Sequence, residues 1–314
     1  MCGIGFLASC PTSNNNSEIY ESRLPDWNRR LSESLARRGP DFPRQQYQYH
    51  DNNDAAVSAK AELVSTATTT AAAAKTRSPT VTLHASVLHM RGHHPVAQPV
   101  SFPIRGDRRD CSLCWNGECY TYNKLDGAGD DISAECNSNN ICHGNNMVEL
   151  ISTTVPERQS DTILVKELLQ EAIDRSGNSS VGEHEAISEA MGRIHGEFSF
   201  ILFVPFVSSE KDSTSRIYYG RDFLGRRSLV INNSLPGTVA VSSVAMDALA
   251  KEDLNGLSIK KWEEIPPGIV YRLDMLTGKE MSLPLPRVVN WDLLRSMTKP
   301  QNVPQLDSLE ENSK

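Results

Sequence analysis

Apolar residues fall into short blocks separated by polar turns, a pattern that predicts more strands than helices. Residues 3–8 form an apolar block near the N-terminus, which is typical of a buried strand. Further blocks predict strands at residues 81–88, 111–115, 197–207, 216–220, 228–232, 239–243 and 269–273. We expect the strands at 216–220 and 228–232 to pair across a turn at Gly225.

A four-residue apolar spacing predicts a short helix after the first strand. Trp27, Leu31 and Leu35 recur at this spacing, so they share one helical face. Asp26 is the candidate N-cap, and the Gly39-Pro40 pair is the stop signal.

A second helix is predicted at residues 163–173, where positions 164, 165, 168, 169 and 172 are apolar. Ser160 and Asp161 precede it, and both residue types are good N-caps. Few connections between the predicted strands are helical crossovers. We therefore expect an α+β architecture with mostly antiparallel sheets and helices outside them.

Three stretches depart from this pattern and set the expected domain bounds. In residues 51–78, 17 of 28 positions are Ala, Thr or Ser, and in residues 123–146, 14 of 24 are Asn, Asp, Gly or Ser. Both compositions bury little apolar surface and predict disordered surface insertions. Residues 285–314 lose the strand signals and form an expected polar tail or linker. One domain over residues 1–284 is the resulting prediction.

Charge and composition exclude several classes of function. Hydrophobic residues make up 39% of the chain, but apolar stretches such as residues 198–207 are too short to cross a bilayer, so no membrane partner is expected. The net charge of −7 and the absence of a long basic run argue against a nucleic-acid partner. Seven cysteines without a visible signal peptide indicate reduced thiols and a cytoplasmic location.

Cys2 is the first candidate for chemistry, because removal of Met1 would leave it with a free α-amino group. An α-amine has an ordinary pKa of about 7.7–8.0, close to working pH. One residue would then supply both a thiol nucleophile and the base that takes its proton. The alternative is that Cys2 is only a small buried residue of the first strand.

Seven short motifs in a fixed order favour the chemical interpretation of Cys2. In chain order they are Cys2-Gly3-Ile4, Arg38-Gly39-Pro40-Asp41, His89-Met90-Arg91-Gly92, Trp115-Asn116-Gly117-Glu118, Ser160-Asp161-Thr162, GRDFLGRRSL at residues 220–229, and Ser242-Ser243. Together they resemble class II glutamine amidotransferases of the asparagine synthetase type, which are N-terminal-nucleophile hydrolases that release ammonia from glutamine. The likeness covers residues 1 to about 284, interrupted by the two polar insertions.

That resemblance implies a fold and a catalytic centre. The fold would be the Ntn-hydrolase four-layer αββα sandwich, with two mostly antiparallel sheets face to face and helices on both outer sides. The Cys2 thiolate would attack the side-chain carboxamide of glutamine. The Asn116 side chain and the Gly117 backbone N–H would stabilise the oxyanion. The alternative for Asn116-Gly117 is a hairpin turn after the strand at residues 111–115.

The resemblance also implies how the two charged ends of glutamine are held. Arg91 would pair with the α-carboxylate, which suits the bidentate guanidinium group. Asp161 would hold the α-ammonium, and Glu118 would assist. The alternatives are a solvated strand-end arginine and an aspartate that only caps a helix.

Two further groups of residues are expected to support the site rather than to react. The first shapes the loop around Cys2 or merely ends the preceding helix. The second forms a charged turn network beside the site. They are Arg38, Gly39 and Asp41 for the first group, and Arg221, Asp222 and Arg226 for the second.

The chain departs from the family pattern in three places. Cys119, Tyr120 and Thr121 replace the usual β-branched, aromatic and Asn residues, and Gly92 replaces a larger residue. The phosphate loop of an ATP-pyrophosphatase domain does not follow. No cofactor is therefore expected in this chain, and ATP and magnesium would belong to a missing synthetase domain.

The expected function is a glutamine amidotransferase domain that hydrolyses glutamine to glutamate and ammonia for asparagine biosynthesis. Its partners would be glutamine and a synthetase domain or subunit that accepts the ammonia. One alternative is a catalytically silent interaction domain with the same fold. Another is an amidotransferase of a different branch, such as aminosugar or purine synthesis.

Cysteine spacing does not predict a metal site. A structural zinc site usually shows two tight ligand pairs at regular spacing. Cys111 and Cys114 flank an apolar strand residue, and Cys136, Cys142 and His143 lie in the Asn-rich insertion. We therefore expect no metal.

Overall fold

The computed structural model describes residues 2–10, 24–38, 45–50, 79–88, 92–104, 110–124, 151–155, 159–176, 180–205, 214–235, 237–246 and 262–286. In chain order the strands are β1 (Gly3–Ser9), β2 (Gln45–His50), β3 (Thr80–Ser86), β4 (Val100–Pro103), β5 (Asp110–Lys124), β6 (Ile151–Thr154), β7 (Ile194–Val204), β8 (Arg216–Arg221), β9 (Val230–Asn232), β10 (Thr238–Ser242), β11 (Glu263–Glu264), β12 (Ile269–Asp274) and β13 (Glu280–Pro284). The helices are α1 (Leu24–Ala36), α2 (Asp161–Ser176) and α3 (Ser180–Gly192).

The strands form two sheets, and every pairing among the described strands is antiparallel. The first sheet has the order β11-β9-β10-β1-β3-β2. The second has the order β13-β12-β8-β7-β5-β4, and β6 also pairs with β5. β1 is therefore a central strand of the first sheet.

The two sheets pack face to face through alternate residues of their strands. Ile4 and Phe6 of β1 lie in one buried cluster with Ile201 of β7 and Tyr219 of β8. The Phe6 and Tyr219 ring centroids are 5.6 Å apart. Because side chains alternate across a strand, the residues between them face outward.

Helices cover both outer faces of the pair of sheets. Leu31 and Leu35 of α1 pack with Leu7 of β1 on the first sheet. On the second sheet, Trp115 packs with the apolar face of α2, which includes Leu169. The expected α+β fold with four αββα layers is therefore confirmed.

Several predicted elements are confirmed with small changes in their bounds. The predicted strands at 239–243 and 269–273 are β10 and β12. The predicted helix at 163–173 lies inside α2, and its apolar positions are buried. Ser160 directly precedes α2, and its carbonyl accepts hydrogen bonds from the N–H groups of Ile163 and Leu164, both at 3.1 Å. The predicted strand at 197–207 is β7, which begins and ends three residues earlier.

The predicted hairpin between residues 216–220 and 228–232 is wrong. β8 lies in the second sheet, whereas β9 lies in the first. The buried Asp222 carboxylate accepts hydrogen bonds from the N–H groups of Phe198 at 2.9 Å, Leu224 at 2.8 Å and Gly225 at 3.0 Å. These bonds turn the chain out of the second sheet, so it crosses to the first instead of folding back beside β8.

Helix α1 begins earlier than its predicted N-cap. Its first residue is Leu24, so Asp26 lies in the first turn. The Asp26 carboxylate pairs with Arg29 at 2.5 Å and with Arg30 at 2.8 Å. A negative charge in the first turn complements the positive end of the helix dipole.

The two predicted insertions connect strands that are hydrogen-bonded neighbours. Residues 51–78 fall between β2 and β3, and residues 125–146 fall between β5 and β6. Both stretches lie outside the described residues. Asn123 and Lys124, which the composition assigned to the second insertion, are the last residues of β5. None of the helices in the described ranges is long and apolar enough to cross a membrane.

Candidate functional site

Strand β1 carries Cys2 to one end of the space between the sheets. Cys10, just after the other end of β1, lies against the turn after β12, where a Cβ on Gly278 would be 3.6 Å from Cys10 Cβ. The last residue of β12 pairs with the first residue of β8. Cys2, which precedes β1 of the first sheet, therefore faces the opposite end of the second sheet, where β8 ends at Arg221.

Asn116 lies at the same end, on the facing sheet. It pairs with Ser199 of β7, which pairs in turn with Arg221 of β8. Cys114, two residues before Asn116, packs between the sheets, so the Asn116 side chain points into the same space. Asn116 Nδ2 donates a hydrogen bond to Ser199 Oγ at 3.4 Å, and both side chains are buried.

The backbone N–H of Gly117 points to an open edge of β5. β4 pairs with the start of β5 and β6 with its end, and no described strand lies on that side between them. The Trp115 N–H points to this side, because it donates to Gln98 Oε1 at 2.7 Å. Backbone N–H groups alternate between the two sides of a strand, so Gly117 directs its N–H to the same open edge.

The alternative of an Asn-Gly turn is wrong, because Asn116 and Gly117 lie inside β5. A Cβ on Gly117 would come within 2.5 Å of the Glu197 carbonyl oxygen and 2.6 Å of Phe198 Cβ. Glycine is therefore required by the close approach of β7. The dipeptide that usually marks a turn is selected here for packing.

The connection between β3 and β4, residues 87–99, crosses from the first sheet to the second; we term it the crossover segment. Near its start, the Leu88 N–H lies 3.4 Å from Cys2 Sγ, and Sγ lies 3.5 Å from the Leu88 carbonyl oxygen. In its middle, a Cβ on Gly92 would lie 3.4 Å from the Ser160 nitrogen. Near its end, Gln98 contacts Trp115. One segment thus touches Cys2, α2 and β5.

The residues expected to hold the charged ends of glutamine flank one of these contacts. Asp161 is buried at the first position of α2, next to Ser160. Arg91 lies outside the described residues, and it directly precedes Gly92 in the sequence. The packing of Gly92 against Ser160 therefore joins the two segments that carry Arg91 and Asp161.

The backbone at Gly92 gives a conformational reason for a glycine at this position. Its φ is +94°, a backbone conformation that residues with a Cβ rarely adopt. A Cβ at this position would be in ordinary van der Waals contact with Ser160, so the requirement for glycine comes from the backbone conformation. The glycine therefore lets the crossover segment turn tightly against the helix.

Glu118 is engaged in an ion pair at the same end of the second sheet. Its Oε1 accepts a hydrogen bond from Arg227 Nη2 at 3.2 Å. The same Arg227 nitrogen lies 2.7 Å from Glu197 Oε1. One buried guanidinium thus holds two carboxylates on the neighbouring strands β5 and β7, and Glu118 keeps a second oxygen for another partner.

Gly3 allows the end of α1 to close over the strand that carries Cys2. A Cβ on Gly3 would lie 2.6 Å from the Leu35 carbonyl oxygen and 3.2 Å from Arg38 Cβ. Arg38 is thereby placed beside the residue that follows Cys2. Gly39 and Asp41, which were expected to shape the same loop, lie outside the described residues.

The expected structural role of the charged turn after β8 is visible in the contacts of Arg221. This buried guanidinium donates to the Arg227 carbonyl at 2.8 Å, to the Ile265 carbonyl at 2.9 Å, and to the Gly225 carbonyl. It therefore fastens the turn to the segment before β12. Arg226 is exposed and lies 3.9 Å from Glu197.

The buried cysteines lie on different faces of their strand. Cys111 packs on the helical side of the second sheet, whereas Cys114 packs between the sheets, so the two thiols of this C-x-x-C spacing cannot share a metal ion. Within the described ranges, no group of three His, Cys, Asp or Glu side chains is arranged to hold a metal.

Three residues that the sequence analysis left without a role take part in this arrangement. They are Gln98 on the crossover segment, Ser199 beside Asn116, and Arg227 beside Glu118. Gln98 lies outside the seven motifs of the sequence, so no local pattern distinguishes it. Arg227 lies inside a motif, but its partner is 109 positions away, and such a pairing is visible only in the fold.

Comparisons with known proteins agree with the resemblance drawn from the motifs. No protein-family model matches the chain. The chain is similar to asparagine synthetase domain-containing protein 1 of Bos taurus, at 26% identity over 190 residues, and of Mus musculus, at 23% over 190 residues. These matches cover 60% of this chain and 20% and 21% of the two relatives. The chain thus matches about a fifth of the length of these relatives.

Two solved structures are similar over most of the chain. One is described as the allosteric regulatory enzyme of purine biosynthesis, with a TM-score of 0.49 and 13% identity. The other is the glutamine phosphoribosylpyrophosphate amidotransferase from B. subtilis in complex with ADP and GMP, with a TM-score of 0.46 and 14% identity. Each covers 92% of this chain, and this chain covers 50% of each.

Proposed function

We propose that this chain is a glutamine amidotransferase domain that hydrolyses glutamine to glutamate and ammonia, with Cys2 as the nucleophile. The observation that supports it most is the placement of Cys2 and Asn116 at one end of the space between the sheets. The open edge to which Gly117 directs its N–H lies at the same end. A nucleophile and two preorganised donors are what amide hydrolysis through a tetrahedral intermediate requires.

In the proposed mechanism, the α-amine of Cys2 takes the thiol proton, and Sγ attacks the carboxamide carbon of glutamine. The oxyanion that forms accepts hydrogen bonds from Asn116 Nδ2 and the Gly117 N–H. A single oxyanion donor is typically worth about 3–4 kcal/mol of transition-state stabilisation. The α-ammonium then returns its proton to the leaving nitrogen, which departs as ammonia and leaves a thioester.

Water completes the reaction by the same groups in reverse roles. The α-amine of Cys2 takes a proton from water, and the resulting hydroxide attacks the thioester carbonyl. The oxyanion again accepts hydrogen bonds from Asn116 and Gly117. Collapse expels the thiolate and releases glutamate, and the thiolate recovers the proton from the α-ammonium.

We assign substrate recognition to the segments joined at the Gly92–Ser160 contact. Arg91 would pair with the α-carboxylate of glutamine, and the buried Asp161 would hold its α-ammonium. Glu118 would contribute its second carboxylate oxygen. Both ends of the amino acid are then bound by charged groups, while the carboxamide reaches Cys2.

We further propose that the ammonia serves asparagine biosynthesis in the cytoplasm. This proposal rests on the two relatives, whose name contains the words asparagine synthetase. The chain matches about a fifth of their length. The acceptor would be a synthetase domain or subunit, and ATP and magnesium would act there. The chain described here would supply the ammonia.

The test is the intact mass of the purified protein before and after incubation with diazo-oxo-norleucine, an electrophilic glutamine analogue. We expect a mass without Met1 and one adduct that maps to Cys2. Cys2→Ala should lose both the adduct and the release of glutamate. Cys10→Ala is the matched control, because Cys10 lies at the other end of β1, and it should keep both.

Two outcomes would overturn the proposal. Hydrolysis by Cys2→Ala as fast as by the wild type would remove Cys2 from the reaction. A processed Cys2 that is neither labelled nor active would instead favour a catalytically silent interaction domain with this fold.

A further inference from the structure

We infer that Gln98 is a positioning residue that sets the distance between the oxyanion donors on β5 and the substrate-holding start of α2. The inference rests on the proposed amidotransferase function and deepens it. Nothing in the motifs points to Gln98. The argument comes from the two bonds that its buried amide group makes.

The first bond extends the β5 ladder beyond the end of β4. β4 begins at Val100, which pairs with Leu113 of β5, so the ladder between these two strands ends before it reaches Trp115. No β4 carbonyl reaches the Trp115 N–H, and Gln98 Oε1 accepts this hydrogen bond at 2.7 Å instead. The bond fixes the backbone directly before Asn116 and Gly117.

The second bond reaches the other part of the site. Gln98 Nε2 donates to Thr162 Oγ1 at 3.3 Å, and both side chains are buried. Thr162 directly follows Asp161 in α2. The bond therefore holds the first turn of the helix that carries the proposed partner of the substrate α-ammonium.

One side chain thus spans the two groups that must match the length of glutamine. The α-ammonium and the carboxamide of the substrate are separated by a fixed number of bonds. If β5 and α2 shift relative to each other, the α-group stays bound while the carboxamide leaves the oxyanion donors. Misplacement of about 1 Å is enough to cost on the order of a hundredfold in rate.

The test compares glutamine hydrolysis by the wild type with that of Gln98→Met, which keeps the volume and removes both hydrogen bonds. Thr162→Val removes only the hydrogen bond between Gln98 and α2. Thr162→Ser keeps this bond, because serine retains the hydroxyl group. Gln170→Met is the matched control, because Gln170 is only half-buried, also lies on α2, and donates a hydrogen bond to the Pro103 carbonyl of β4.

We expect kcat to fall about 10- to 100-fold in Gln98→Met and Thr162→Val, while KM changes less than about threefold. Thr162→Ser and Gln170→Met should retain the wild-type kcat. Labelling of Cys2 by diazo-oxo-norleucine should slow in parallel with kcat. Labelling by iodoacetamide, which needs no glutamine site, should proceed at the wild-type rate.

The possible failures are distinguishable. If the wild type neither hydrolyses glutamine nor takes the analogue, the proposed function fails. If the wild type does both and the folded Gln98→Met and Thr162→Val match it, the role of Gln98 fails. If Gln98→Met does not fold, Thr162→Val decides, because a purely structural role would lower its melting temperature and leave kcat unchanged.

Discussion

Among the described residues, burial divides the cysteines into two kinds. Cys2 is half-buried, whereas Cys10, Cys111, Cys114 and Cys119 are buried. Burial, with a contribution from Asp274, raises the pKa of Cys10 to about 11. Burial also raises the pKa of Cys111 and Cys114 well above the ordinary range. These thiols stay protonated and shielded, so they are inert in the folded protein.

This contrast predicts selective alkylation. In the folded protein at pH 8, iodoacetamide should modify Cys2 on the order of tenfold faster than the four buried cysteines. Peptide mass spectrometry with timed quenching measures the rates residue by residue. In denaturant the difference should disappear. Modification of Cys114 as fast as Cys2 without denaturant would contradict the packing described above.

At the residue scale, a candidate site residue could be predicted where its chemistry leaves a local signature. Cys2 directly follows Met1, and Asn116-Gly117 forms a recognisable pair. Gln98 has no such signature, because its two partners come from separate elements. Gly117 shows the limit of local reasoning most clearly: the close approach of β7 decides that it lies in a strand, and that approach depends on distant residues.

At the element scale, α1 packs on the first sheet through polar groups as well as leucines. His84 of β3 is buried and bonds through Nε2 to Asn28 Oδ1 of α1 at 3.1 Å. Asn28 Nδ2 also donates to Thr82 Oγ1 at 3.5 Å. Burial lowers the pKa of His84 to about 4.

This shift predicts acid sensitivity of the α1–β3 contact. The unfolded state binds a proton at His84 below about pH 6.5, but the folded state does so only near pH 4. Stability is therefore lost as the pH falls from 6.5 towards 4, by about 3 kcal/mol in total. The contribution is complete above pH 6.5.

Urea unfolding of the wild type and His84→Gln at pH 7 and pH 4.5 measures this contribution. The wild type should lose more stability than the variant between the two pH values. His93→Gln, at an exposed position, should follow the wild type. Equal losses for the wild type and His84→Gln would contradict the assignment.

Element prediction succeeded where the buried face is apolar and failed where it is polar. The apolar face of α2 is visible in the sequence. Helix α3 was not predicted, because Glu183 and His184 occupy its buried face. Glu183 bonds to Tyr218 at 2.6 Å and to Arg216 at 3.1 Å, and His184 bonds to the Val270 carbonyl at 3.1 Å. Partners on the second sheet make these positions suitable for burial, and hydropathy does not show them.

At the scale of the whole molecule, the candidate site lies at the end where connections pass from one sheet to the other. The crossover segment leaves the first sheet beside Cys2 and enters the second beside β5. The turn held by Asp222 leaves the second sheet at the same end. The wrongly predicted hairpin is therefore one of these connections between the sheets. It could not be recognised in the sequence, because local turn signals do not show to which sheet a strand belongs.

The long connection from β2 to β3 predicts tolerance to deletion. These strands are hydrogen-bonded neighbours, so a short turn can replace residues 51–79 without changing the sheet. Shortening the connection to five residues should stabilise the fold by about 1–2 kcal/mol through a smaller entropy of loop closure. Thermal unfolding and glutamine hydrolysis test this variant. A deletion that prevents folding would contradict it.

The pairing of β2 with β3 also indicates where a foreign domain can be inserted. Insertion succeeds where the ends of a connection lie close together and away from the chemistry. β2 is the outermost described strand of the first sheet, so a fluorescent protein joined through residues 51–79 would project from the edge of the molecule. The connection between β5 and β6 also has close ends, because Lys124 pairs with Ile151, and this pair lies at the end of β6 away from Gly117. A reporter placed there would also be held away from the candidate site, so one scaffold offers two separate attachment points.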